Sequence, residues 1–329
     1  VNHDLVIPLF CPAWSTRAVL EALRAHHAPR HTHVITPAAG ADLLRDAIAR
    51  DGWDVGPLTV HPEEDFFVPA FGLTKQDLAD ALDGSLPLYP PGWYFQQLLK
   101  LGAHEGIRGL GDEYLVWDAD LLLVEPWPLF DADGTPAFAL LQHKAHVPAS
   151  NHDRWAAWIR DVLDVEPVTD PVGTFVPHHM WFHRVLLRRF KQRITRHGRK
   201  ADAWPLCMIR SVGRHGTFSE YWSYASWLNT HAPQSLRYHA YGDYGSTTER
   251  FFEDGTGRFA SAVRDHLGLD PHAALSPTWP ELDAFIAHNY AAHDAPRPSS
   301  LAFERDDRHV KKGDDWTLLE EKRSRWRPR

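Results

Sequence analysis

The chain has 329 residues, enough to bury one large core, or one core with a smaller appendage. Its content of 43% hydrophobic, 24% charged and 12% aromatic residues is that of a soluble globular enzyme. Lysine and arginine number 35 against 43 acidic residues, a net charge of −8, with a basic cluster only at Lys322 to Arg329, so no nucleic-acid partner is expected.

No run approaches the roughly eighteen apolar residues of a membrane span, so no transmembrane segment is expected. Cys11 and Cys207 stand in unrelated contexts, which excludes a cysteine-rich zinc site or disulfide framework and points to a cytoplasmic protein. Asp4 to Leu9 is an apolar run read as a strand. It lacks the basic region and small-residue cleavage site of a leader.

Trp14 to His27 follows in helical period, with Ser15 or Thr16 at the N-cap position. Strands are predicted at His33 to Thr36 and Pro57 to His61, with a helix over Ala41 to Arg50 between them. A linker-like stretch, Thr74 to Pro91, launches a helix predicted over Trp93 to Ile107. Its apolar positions Tyr94, Phe95, Leu98, Leu99 and Leu101 fall on one side, and Gln96, Gln97, Lys100 and Trp93 on the other.

Glu113 to Trp117 reads as a strand, Leu121 to Val124 as an apolar run closed by Pro126 and Pro128, and Phe138 to Gln142 as another strand. Helices are expected over Trp155 to Leu163, Met180 to His197 and Glu220 to Leu228, then a late strand over Ser235 to His239. From Pro271, helices such as Glu281 to His293 alternate with proline-rich breaks, as in an α-helical C-terminal cover. This alternation predicts an α/β protein: a doubly wound, mostly parallel sheet with helices on both faces. Ligands of such sheets sit at the carboxyl ends of strands, which here brings in Pro8 and Phe10.

The chemistry centres on Tyr114-Leu115-Val116-Trp117-Asp118-Ala119-Asp120-Leu121-Leu122-Leu123-Val124. Two carboxylates at i and i+2, where a strand ends, point to the same side. A buried ionised carboxylate costs several kcal/mol unless paired, and no lysine or arginine lies near these two in sequence. A divalent cation, Mn²⁺ or Mg²⁺, would meet that cost and neutralise a diphosphate leaving group. The plainer reading, a strand-end turn with two solvated aspartates, fits the flanking Trp117 and Leu121 less well.

Asp118-Ala119-Asp120 after an apolar strand resembles the D-x-D motif of GT-A-fold glycosyltransferases. Three further stretches resemble one bacterial branch of that fold: Gly92-Trp93-Tyr94-Phe95-Gln96-Gln97-Leu98-Leu99-Lys100-Leu101, Pro177-His178-His179-Met180-Trp181-Phe182, and Phe218-Ser219-Glu220-Tyr221-Trp222-Ser223-Tyr224. The resemblance spans about residues 4 to 245. It implies a Rossmann-like catalytic domain over 1–245, binding nucleotide sugar and acceptor, with a helical extension and basic tail over 246–329.

The resemblance also implies a nucleotide-sugar donor, most often a UDP-sugar, and a small-molecule or glycan acceptor. Asp118 would contact donor ribose or metal and Asp120 would coordinate the metal. The third ligand, a histidine in many such enzymes, is assigned to His239. Among donor-binding positions it supports Gln97, hydrogen-bonding donor hydroxyls, and Lys100, facing a phosphate or the two aspartates; periodicity alone leaves that helix face as plain surface.

His178 and His179 are either structural or part of a donor or acceptor loop. His179 and His183 at helical spacing suit zinc, but the third ligand and the glutamate of a metalloprotease are absent. Glu220, at a helix start, is favourable there on dipole grounds alone. It is also placed to act as general base of an inverting transfer, with Tyr221 and Tyr224 lining the acceptor site.

Most of the fourteen tryptophans are expected to be packing residues, and some to be platforms for sugar rings. The tail from Lys322 to Arg329 is read as solvated. Two other functions compete. A sugar nucleotidyltransferase needs a glycine-rich basic loop after the first strand, and Phe10 to Arg17 contains no glycine. A non-catalytic carbohydrate-binding protein would explain the aromatics but not two aspartates in an apolar strand.

Overall fold

The computed structural model describes residues 3–82, 88–140, 149–168, 178–199, 201–240, 248–251, 253–270 and 275–303. The chain opens with strands and helices in alternation: β1 (Asp4–Pro8), α1 (Thr16–His27), β2 (His31–Thr36), α2 (Ala38–Asp51) and β3 (Leu58–Pro62). Then come α3 (Val68–Phe71), α4 (Lys75–Asp80), α5 (Pro91–Leu101), α6 (Ala103–Gly106), β4 (Glu113–Trp117), β5 (Leu121–Leu123) and β6 (Phe138–Leu140). Next are α7 (Ala149–Trp158), continued by a π-helical turn, β7 (His179–His183), α8 (Arg184–His197), α9 (Trp204–His215) and α10 (Glu220–His231). The chain closes with β8 (Tyr238–Ala240), β9 (Thr248–Phe251), α11 (Glu253–Leu267), α12 (Trp279–Ala292) and β10 (Ser300–Phe303).

Among the described residues the main sheet has the order β3-β2-β1-β4-β7, parallel except for β7. Every residue of β1 is buried, as expected of a central strand with helices on both faces. The chain moves outward from β1 through β2 to β3, then returns to place β4 on the other side of β1. The carboxyl ends of β1 and β4 therefore flank a topological switch point, where a crevice opens in sheets of this kind. Val6 pairs with Val116, so Pro8 comes level with Asp118 at that edge.

The helix expected over Met180 to His197 is corrected: its first turn is strand β7, antiparallel to β4, with Trp117 opposite His179 and Glu113 opposite His183. Phe182 packs on Tyr114 across the pair, with ring centroids 5.6 Å apart, so tertiary pairing overrides the local helical pattern. The helix begins at Arg184, where the His183 ring accepts the Val185 N–H at 3.2 Å.

The helix expected to run to Ile107 stops at Leu101. A Cβ on Gly102 would lie 2.3 Å from the Phe67 ring and 2.8 Å from the Leu98 carbonyl oxygen. The expected linker from Thr74 contains α4, started by a capping box between Thr74 and Asp77.

The C-terminal segment is not helical throughout. The four residues of β10 are buried, and β10 pairs with both β9 and β5, Leu301 lying opposite Leu122. The Trp279 N–H at the start of α12 donates to Glu21 of α1 at 2.8 Å. The boundary expected at 245 and the basic tail from Lys322 lie outside the described residues.

Gly102→Ala is expected to destabilise the protein by about 1–3 kcal/mol through overpacking. Gly92→Ala, where an added Cβ meets nothing within 4 Å, should be neutral or slightly stabilising. Urea denaturation of the two variants checks the contrast.

Candidate active site

The polar side of α5 is not a solvent face. Gln97 is buried and Lys100 is only 3% exposed, because α10 packs over them. The Lys100 ammonium lies 2.7 Å from Asp118 Oδ1 and 2.9 Å from Glu220 Oε1. It also sits over the Tyr221 ring, 4.4 Å from its centroid, while the Tyr221 hydroxyl donates to Asp118 Oδ1 at 2.9 Å. The carboxylate that has no cation near it in sequence therefore has one in space, which corrects part of the argument for a metal.

The electrostatics follow from this arrangement. Burial acts to lower the Lys100 pKa, but Asp118 and Glu220 outweigh it and hold the ammonium above its usual value. Burial acts to raise Asp118, yet Lys100 and His178 hold its carboxyl well below the usual range. Glu220 moves the other way: burial raises it, Asp118 adds to the rise, and Lys100 offsets only part. The Tyr221 phenol, buried beside two carboxylates, is pushed well above its usual value.

The second half of the site comes from β7. The Asp118 N–H donates to the His178 carbonyl at 2.8 Å, extending the β4–β7 pairing by one step. His178 takes a left-handed backbone, φ 65°, a region where histidine is enriched among non-glycine residues. Its Nδ1 lies 3.4 Å from Asp118 Oδ2 and 4.0 Å from Asp120 Oδ1. Asp118, Asp120 and His178 thus each offer a ligand atom, all within 4.8 Å of one another. Asp120 is held from the other side, its carbonyl accepting the Phe303 N–H of β10 at 2.9 Å. Two carboxylates, Asp118 and Glu220, share the Lys100 ammonium, and the Asp120 carboxylate stands beside His178 at the same edge.

The remaining expected residues divide. Phe10 stands just beyond β1 with 62% of its surface exposed, and the Pro8 carbonyl accepts a long 3.5 Å hydrogen bond from Gln96. Gln97 donates to the Trp93 carbonyl at 3.1 Å, and its Oε1 is buried with no hydrogen-bond partner among the described residues. Tyr224 accepts from the His183 N–H at 3.3 Å and packs on Phe182, so of the two tyrosines it is Tyr221 that touches the carboxylates.

Of the two readings open for His179, structural or part of a substrate loop, the geometry fits the first: it is a core residue between Trp117 and Trp127, with ring centroids 5.3 and 5.2 Å away. His239, expected as the third metal ligand, lies on β8 opposite Ala139 in a separate two-stranded sheet. Among the described side chains the histidine brought to the two aspartates is His178, an assignment that depends on cross-strand register and has no signal in sequence spacing.

Lys100→Met would leave Asp118 and Glu220 without their shared cation. A loss of about 3–5 kcal/mol is expected at neutral pH, the scale for breaking a buried ion pair. Without the ammonium, the Glu220 pKa in the folded state rises further above its unfolded value. The variant's deficit should therefore shrink as pH falls toward 5, because the folded state then binds the extra proton. Chemical denaturation at two pH values measures it, and Glu220→Gln in the same background should recover part of the loss.

Among the described residues no helix is long and apolar enough to cross a membrane. Comparison with solved structures finds mouse Xyloside xylosyltransferase 1, apo form, at 12% identity over 95% of this chain and 100% of that one, with a TM-score of 0.44. It also finds the glycosyltransferase GlyE of Streptococcus pneumoniae TIGR4, at 12% identity over 100% of this chain and 61% of that one, with a TM-score of 0.34. Comparison with curated proteins gives no match. Residues 15–256 match the family described as "Family of unknown function (DUF6492)", a span that contains Lys100, Asp118, Asp120, His178 and Glu220. The chain belongs to the DUF6492 family.

Proposed function

We propose that this protein transfers a sugar from a nucleoside-diphosphate sugar to a hydroxyl-bearing acceptor, with a divalent metal held by Asp118, Asp120 and His178. The observation that carries the reading is the convergence of those three side chains at the sheet's switch point. Two carboxylate oxygens and one imidazole nitrogen form an oxygen-rich donor set suited to Mn²⁺ or Mg²⁺. A metal there would supply Lewis-acid neutralisation of a diphosphate leaving group. The D-x-D resemblance of Asp118-Ala119-Asp120 supports the same chemistry.

The surrounding side chains support donor binding. Phe10, 62% exposed beside the edge of β1, is an aromatic side chain of the kind that packs on a nucleobase such as uracil. Gln97 Oε1 is as closed off as Glu220 and takes no donor contact in this reading. Lys100 and Tyr221 keep Asp118 ionised and fixed in one rotamer, so that Oδ2 faces His178.

Glu220, expected as the general base, fits a different role. A base must reach the proton that it removes, and this carboxylate is 4% exposed and bonded to Lys100. It is assigned as the positioning residue for Lys100.

Incubation with a panel of nucleoside-diphosphate sugars, UDP-sugars first, should release nucleoside diphosphate only with Mn²⁺ or Mg²⁺. Asp120→Asn should lower that release on the order of 10²–10³-fold, the scale of a lost electrostatic contact to the transition state. Release that persists in a chelator, or none with any donor, would contradict the reading. Glu220→Gln should reduce stability and turnover together. A rate loss of ~10²–10⁴-fold at unchanged stability would return Glu220 to the role of base.

A further inference from the structure

Strands of a sheet covered on both faces are near-continuous apolar runs. β2 and β3 depart from that rule: they read His31-Thr32-His33-Val34-Ile35-Thr36 and Leu58-Thr59-Val60-His61-Pro62. His33 lies opposite Thr59, and side chains alternate along each strand, so His31, His33, Thr59 and His61 share one face. The opposite face carries the buried Thr32, Val34 and Val60, and α2 packs against these two strands. The histidine face opens instead into a cavity of about 650 Å³, which Arg30 and Arg108 also line.

The polar groups in this cavity are organised. The His31 ring stacks on His33 at 4.5 Å, and its Nε2 lies 2.8 Å from Thr59 Oγ1. His33 Nδ1 lies 3.1 Å from His61 Nε2, so the two rings share one hydrogen bond. Among the described residues no carboxylate lines the cavity. The nearby Asp4 carboxylate is fully buried and already taken by Arg30 and by the Gly111 N–H at 2.7 Å. Two guanidinium groups, one of them paired with Asp4 at its far side, and three imidazoles thus line this space.

We propose that this cavity binds a phosphate or sulfate group, held by Arg30, Arg108 and the His31–His33–His61 cluster. Nothing in the proposed transfer reaction uses these residues, so the two readings stand independently.

The inference carries a pH dependence. Burial first, and then His31 and His61, push His33 down to about 4. Burial, His31 and Arg45 of α2 lower His61 as well. Asp4 acts in the other direction on His33 and raises it, while Arg30 adds to the lowering. The empty pair is therefore neutral at physiological pH and offers few N–H donors. A bound dianion favours the imidazolium, which donates from both nitrogens. The histidine pKa is thus higher in the bound state than in the free state. Affinity rises as pH falls below the bound-state value and levels off near the free value of about 4.

Sulfate keeps one charge state between pH 5 and 8, so its binding reports the protein's protons alone. Calorimetry should find sulfate bound about tenfold more tightly at about pH 5.5 than at about pH 7.5. Arg108→Ala, at an exposed position, and His61→Gln should each weaken binding at the lower pH by about tenfold. The second should also flatten the pH dependence. Glucose 6-phosphate binding more tightly than inorganic phosphate would identify a sugar phosphate as the source of the group, and equal binding the free ion. Sulfate affinity unchanged in both variants, or Zn²⁺ binding at these histidines with no sulfate binding, would overturn the proposal.

Discussion

The site depends on one buried ammonium. Lys100 joins three separate elements: α5, which carries it, the end of β4 through Asp118, and the first turn of α10 through Glu220. Removing three ionised groups from water is costly, and their mutual pairing offsets that cost only in good geometry. The same ammonium lies against the Tyr221 ring, and the phenol returns a hydrogen bond to Asp118. Asp118 Oδ1 is thereby occupied twice over, and Oδ2 is the oxygen left to work with His178 and Asp120.

Topology supplies the second constraint. The outward progression from β1 to β3 and the return to β4 make the edge beside Pro8 and Asp118 a topological switch point, the place where sheets of this kind bind ligands. β7 completes the arrangement by running antiparallel into the same edge, so that its first residues meet the last of β4. Phe303 of β10 then ties down Asp120 from the C-terminal segment. Residues from the beginning, middle and end of the described chain converge on one rim.

Much of this was legible in sequence where the signal is local. β1, α1, β4 and the two aspartates follow from apolar runs, helical period and i, i+2 spacing. What was hidden depends on distance. Met180 to Phe182 look helical until β4 is available to pair with them, and four residues such as Ser300 to Phe303 carry no pattern of their own. Helical period alone leaves Lys100 on a plain polar surface, and only the resemblance turns it toward the two aspartates; it meets Asp118, while period cannot show that α10 brings Glu220 over the same side. Position near a late strand points to His239 as the third ligand, whereas among the described side chains it is His178 that pairing between strands brings to the aspartates.

The central claim is that Asp118, Asp120 and His178 form a divalent-metal centre at the switch point. Calorimetric titration of Mn²⁺ in the presence of uridine diphosphate tests it most directly, comparing wild type with His178→Gln and His239→Gln. The account predicts that His178→Gln weakens Mn²⁺ binding by about tenfold or more while His239→Gln leaves it unchanged. Mn²⁺ binding that survives in His178→Gln and is lost in His239→Gln would contradict it.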